Sequence, residues 1–221
     1  MTAQEIIKAG NQDPENNYDV FTDSVSEEDL KEKTFVSMKK RLPWLIFLLF
    51  LGMGVSAVVG AFEEVVAVLP VVICFQSLIL DMAGNVGTQS LAVTIRVLTD
   101  KNITAKDKFR LVAKETKIGL SNGLLLGVVA VVFLGIYIRL VKGYDLDTSF
   151  IISGCVGVSL LLSMVISSLV GTLIPLFFHK VKIDPAVASG PLITTVDDLV
   201  AVVTYYGLSW AFLIRIMEIV D

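Results

Sequence analysis

The chain has 221 residues, 54% of them hydrophobic, with a mean hydropathy of +0.76. A water-soluble chain sits near ~45–50% apolar, and here the excess is gathered into long runs, which excludes an ordinary soluble domain. The formal net charge of −4 hides a sharp segregation, because nine of the 22 acids lie within the first 32 residues. Cys74 and Cys155 both fall inside apolar runs, so no disulfide framework is expected. His179 is the single histidine, so neither a Cys/His zinc site nor an HExxH motif fits.

Residues 1–40 form an acidic cytoplasmic segment, too poor in large apolar groups to fold alone. Within it, Ser24-Val25-Ser26-Glu27 has capping-box spacing and predicts a short amphipathic helix running to Arg41. The Lys39-Lys40-Arg41 cluster anchors topology ahead of the first span. No secretory signal is expected, since the first apolar run begins near Leu42 after a long polar stretch. Residues 41–221 then read as one five-helix transmembrane domain. The first span runs from about Trp44 to Phe62, with Gly52, Ser56 and Gly60 spaced as a packing seam. Pro70 opens the second, which extends to Leu98, and a polar loop covers Thr99 to Lys117. The third span covers Ile118 to Tyr137, and the fourth Phe150 to Phe178, with a kink expected at Pro175. The fifth follows Asp184-Pro185, is interrupted at Gly190-Pro191 and ends near Met217. With the N-terminus in the cytoplasm and the C-terminus outside, 15 of the 18 Lys and Arg residues lie inside.

Two polar clusters interrupt this apolar sequence. The second span carries Asp81-Met82-Ala83-Gly84-Asn85-Val86-Gly87-Thr88-Gln89-Ser90 at its middle. Acid, amide and hydroxyl groups at that depth are expensive unless they face protein, water or an ion. In a helix Gly84, Thr88 and Ala92 share one small, polar face. Small-xxx-small faces also bring helices together, which accounts for the glycines but not for Asp, Asn and Gln side by side. The fifth span carries Thr194-Thr195-Val196-Asp197-Asp198, well inside its apolar length. Thr194 and Asp198 share a face, whereas Asp197 points roughly 100° away. No Lys or Arg sits within a span at comparable depth to neutralise Asp198.

The available ligands are carboxylate, amide, hydroxyl and backbone carbonyl oxygens, a set that suits Mg²⁺, Ca²⁺ or Mn²⁺ rather than soft metals. Mg²⁺ dehydrates reluctantly, so a path for it needs few carboxylates, many neutral oxygens and room for water. One Asp per chain suggests a ring completed by a two-fold axis.

Pro70 with Gly84-Asn85-Val86-Gly87-Thr88-Gln89-Ser90 and Arg96, then Asp184 through Asp198 and Tyr205, resembles the transmembrane domain of the MgtE magnesium channel family. The resemblance covers about residues 41–216, with all five spans in order. It implies an all-α integral membrane protein that forms a homodimer in the cell (inner) membrane, with a pore between subunits lined by helices two and five. The family's pore acid falls on Asp198, and its pore-lining positions on Thr194, Gly84, Thr88 and Ala92; Asn85 belongs to the same motif. Members often carry Asn at the Thr88 position and a small residue at that of Asp81. Asp197 and Asp81 complete the candidate ion-contacting set. Mg²⁺ is both cargo and ligand, and the expected partners are a second copy and the lipid bilayer, with no nucleic acid. Typical members precede the pore with an acidic helical domain and a CBS pair. Residues 1–40 leave room for neither, so the expectation is regulation by other means or a shortened chain.

Two rival readings stand beside this one. An ion-coupled carrier for Mg²⁺, Mn²⁺ or Co²⁺ needs the same ligands. An intramembrane serine hydrolase would use Gly119-Leu120-Ser121-Asn122-Gly123, but that motif requires a strand-turn-helix elbow and here it opens a membrane helix. The expectation is a transporter, not an enzyme.

Overall fold

Long apolar runs satisfy their backbone groups internally only as helices or closed barrels, and runs of this length favour helices. The computed structural model describes residues 32–63, 67, 70–99, 103–182 and 190–216. The chain divides into two units, Met1–Phe47 and Leu48–Asp221. Helix α1 covers Thr34–Gly60 and carries Pro43 inside it. It therefore does not stop at Arg41, and the Ser24–Glu27 capping box lies outside the described residues. In the first unit Ser37 Oγ donates to Glu32 Oε2 at 2.6 Å, and Trp44 stacks on Phe47 with centroids 5.3 Å apart.

In the second unit α2 begins as a 3₁₀ turn, Pro70–Val72, and continues as Ile73–Leu98. Helix α3 covers Ala105–Tyr137 and widens into a π turn over Ile138–Lys142. Helix α4 covers Leu146–Lys180, and α5 covers Gly190–Leu208 before a π segment, Ser209–Ile216. All five are long and apolar enough to cross a membrane.

The polar stretch expected as a loop up to Lys117 is instead mostly helical. Thr104 caps α3 by accepting from Asp107 N, and Asp107 returns the bond to Thr104 N. That reciprocal cap satisfies two N–H groups that the first turn leaves open, so the helix starts at Ala105. Helix α4 continues through Pro175 to Lys180. The Asp184-Pro185 start of the fifth span lies outside the described residues, and Pro191 sits in the first turn of α5, where its missing N–H does no harm.

Helices α2, α4 and α5 share the largest core, built from Val72, Ile79, Ala83, Val156, Val202 and Tyr205 among others. Two tyrosines fasten α5 to the start of α2: Tyr205 Oη donates to Val72 O at 2.7 Å, and Tyr206 Oη to Gln76 Oε1 at 2.6 Å. A buried phenol without such an acceptor would be costly. The serines of α4 and Thr172 are buried, and several bond back to their own helix, as Ser159 does to Cys155 O and Thr172 to Ser168 O, both at 2.8 Å. Small, self-satisfied side chains let neighbouring backbones come close.

Helix α3 exploits this along Gly119, Gly123 and Gly127. A Cβ at Gly123 would lie 3.0 Å from Leu161 Cα, and one at Gly127 would lie 2.9 Å from Gly157 O. Gly119 and Gly123 are thus packing residues inside a continuous helix, and Ser121 is exposed, so the hydrolase elbow is not formed. The seam read on α1 is used differently. A Cβ at Gly52 or Gly60 would meet nothing within 4 Å, while Val55, Val58 and Val59 pack against the core.

Candidate cation site

The middle of α2 lies between α4 and α5, and its two motif glycines meet different neighbours. At Gly84 an added Cβ would rest 3.4 Å from Thr194 Cγ2 of α5, an ordinary contact. At Gly87 it would collide with Asp197 Oδ2 and lie 2.7 Å from Asp197 Cγ. Behind Gly87, its carbonyl oxygen occupies the space a side chain at Gly171 of α4 would need. The second glycine is therefore required by close approach, while the first leaves a modest gap.

That gap opens as a groove between α2 and α5, lined by Asp81, Gly84, Asn85, Thr88, Thr194 and Asp198, together with Leu80. The lining follows from helical spacing, with residues three, four and seven apart on α2 and four apart on α5. Asp81 and Asn85 are exposed, Thr88, Thr194 and Asp198 are half-buried, and Gly84 is buried. Thr88 Oγ1 donates to Gly84 O at 2.8 Å and to Asn85 O at 3.0 Å. Its hydrogen is committed to the helix, so its free lone pairs remain for an incoming donor, such as water on an ion.

Two members of the expected set lie apart. Ala92 is exposed but does not line the groove. Asp197 is fully buried with its carboxylate against Gly87, and Ser167 of α4 lies near it outside hydrogen-bonding geometry. Neither Asp197 oxygen has a hydrogen-bond partner among the described residues.

A supporting contact was not read from the sequence. Ser90 Oγ, at the end of the α2 motif, donates to Glu115 Oε2 of α3 at 3.0 Å, and both are buried. The signal was there: Glu115 precedes the Gly119, Gly123, Gly127 series by one turn and so shares its inward face. The bond ties the far end of the α2 motif to the bundle and leaves the groove to the other face.

Chemically, the groove offers two carboxylates, an amide, two hydroxyls and no nitrogen or sulfur ligand. Hard, strongly hydrated cations match such a set.

A profile of the MgtE family, described as divalent cation transporter, matches residues 76–208, more than half of the chain. The chain is 34% identical over 213 residues to "Magnesium transporter MgtE" of Bacillus subtilis and 35% identical over 213 residues to that of Enterococcus faecalis. Each alignment covers 96% of this chain and 45% of the relative. The Thermus thermophilus protein of the same name is 30% identical over 169 residues, 76% of this chain and 35% of that protein. The chain thus spans less than half the length of each of these relatives.

Proposed function

Because the chain belongs to the MgtE family of divalent cation transporters, we propose that it carries hydrated Mg²⁺ across the cell membrane, through a path closed between two copies of itself. The observation that carries this reading is the groove in which Asp81, Asn85, Thr88, Thr194 and Asp198 meet on the outward side of α2 and α5. Exposed Asp81 and Asn85 leave that groove open along one side of the chain, and a two-fold axis facing it would double every ligand.

In such a pair the two Asp198 carboxylates supply the charge that draws a divalent cation to mid-span. The neutral oxygens of Asn85, Thr88 and Thr194 accept hydrogen bonds from its waters. Contact through water rather than directly avoids stripping the ion, which is the hard step for Mg²⁺. Asp81, one turn before Asn85, adds a second acidic ring along the same path. The N-terminus lies in the cytoplasm and the C-terminus outside, as the Lys and Arg distribution requires.

The test is Mg²⁺ uptake into liposomes holding the purified chain. Asp198→Ala is expected to reduce flux to background while the protein elutes at the parent's size, with uptake following the electrochemical gradient and indifferent to Na⁺ and H⁺. Parent-level flux in Asp198→Ala would remove this acid from the path. Uptake that needs a Na⁺ or H⁺ gradient would make the protein a coupled carrier.

A further inference from the structure

The start of α3 and the end of α4 come together 71 residues apart in sequence, where Lys108 Nζ lies 3.3 Å from His179 Nδ1. An ammonium has no lone pair, so Lys108 donates and Nδ1 accepts, which puts the ring hydrogen on Nε2. Lys180 and Lys182 line the same groove, and among the described residues no acidic side chain lines it. Lys182 holds a positive φ of 61°, a position where glycine would be free of strain, and here it presents an ammonium. The result is a concentration of hydrogen-bond donors with no carboxylate among the described lining residues.

The other half of the groove is apolar. Leu173 and Phe177 are exposed by 49% and 59%, and they lead into Lys180 along one face of α4, at spacings of four and three residues. A free anion has no use for that exposed hydrocarbon, and a neutral lipid has no use for the lysines. We propose that this groove seats the phosphate of an anionic phospholipid, with an acyl chain lying along Phe177 and Leu173. The chemistry is that of basic pockets between membrane helices, where phosphate takes several donors and the chains stay in hydrocarbon. The site is separate from the α2–α5 groove, and it stands whether or not that groove carries Mg²⁺.

The experiment uses the purified full chain in neutral detergent, titrated with phosphatidylglycerol or phosphatidylcholine, with bound lipid counted by native mass spectrometry. Two double variants remove the same charge from different places. Lys180→Ser/Lys182→Ser removes two of the groove's three lysines, and Lys114→Ser/Lys117→Ser alters exposed lysines elsewhere on α3. The first is expected to weaken phosphatidylglycerol on the order of twentyfold and leave phosphatidylcholine unchanged. The second should stay within about threefold of the parent, where only diffuse attraction operates. Lys108→Ser alone should weaken it several-fold, and gives the reading if the first double variant folds poorly. Equal losses in both double variants would mean a general basic belt and overturn the site, as would no loss in the first. Displacement of the lipid by inorganic phosphate alone would make it a phosphate site instead.

Discussion

Gly171 and Gly84 give opposite tests of how α2 sits between its neighbours. A methyl group added at Gly171 would drive into the carbonyl oxygen of Gly87, 2.9 Å from that carbonyl carbon and 3.1 Å from Gly87 Cα. All three atoms are backbone, so no rotamer change relieves the clash and α2 must part from α4. Ordinary contact begins near 3.4 Å, so the carbonyl carbon alone asks for a widening of about half an ångström, the difference between 2.9 and 3.4 Å. Overpacking of this kind costs about 1–3 kcal/mol, and a clash of backbone on backbone belongs at the top of that range. Replacing a helical glycine with alanine returns about 1 kcal/mol. Gly171→Ala should therefore lose about 2 kcal/mol. At Gly84 the new methyl would touch Thr194 Cγ2 at 3.4 Å without overlap, so Gly84→Ala should gain up to about 1 kcal/mol. The assay is thermal unfolding of the purified protein in detergent. At roughly 2–4 °C per kcal/mol, Gly171→Ala should melt about 4–8 °C below the parent, and Gly84→Ala at or slightly above it. If Gly171→Ala melts with the parent, the close approach of α2 to α4 is refuted, and if Gly84→Ala falls as far as Gly171→Ala does, the gap between Gly84 and Thr194 is refuted.

Thr88→Leu adds one heavy atom to the side chain and removes its oxygen, so a folded protein with little Mg²⁺ flux is expected; normal conduction would place this face against protein. Asp197→Ala removes a carboxylate that touches Gly87 rather than the groove, so it should change thermal stability more than ion selectivity, and the reverse result would exchange the roles of the two acids. Asp145 caps α4 by accepting from Thr148 N at 3.0 Å, and bonding from the Thr148 side chain and backbone holds its carboxyl below the usual 3.8. Its contribution is therefore present above pH 3.8 and lost as pH falls through the depressed native value, so Asp145→Ala should lower the melting point at pH 7 and match the parent in strong acid.

The five spans are legible because an apolar run of about twenty residues has few uses other than crossing hydrocarbon. Their ends are less so. Thr104 and Asp107 carry a cap signal three residues apart, but a helix leaving the bilayer can continue in water, and charge alone says nothing of where it stops. Small-residue spacing is ambiguous for a related reason. It marks a face where backbones can approach and does not say whether a neighbour uses it: Gly119, Gly123 and Gly127 meet α4 closely, whereas Gly52 and Gly60 meet nothing within 4 Å. Periodicity does better where two adjacent residues compete for one direction. One step along α5 turns a side chain by roughly 100°, enough to put Asp198 beside Thr194 in the groove and Asp197 in the interior against Gly87. What the step cannot reveal is the partner: only the packed structure shows that Asp197 takes the space a side chain at position 87 would need. The two glycines of the α2 motif therefore do different work. Gly87 lets α2 close onto α4 and Asp197, and that fixed distance sets how far Gly84 stands from Thr194, and so how wide the groove between them can be.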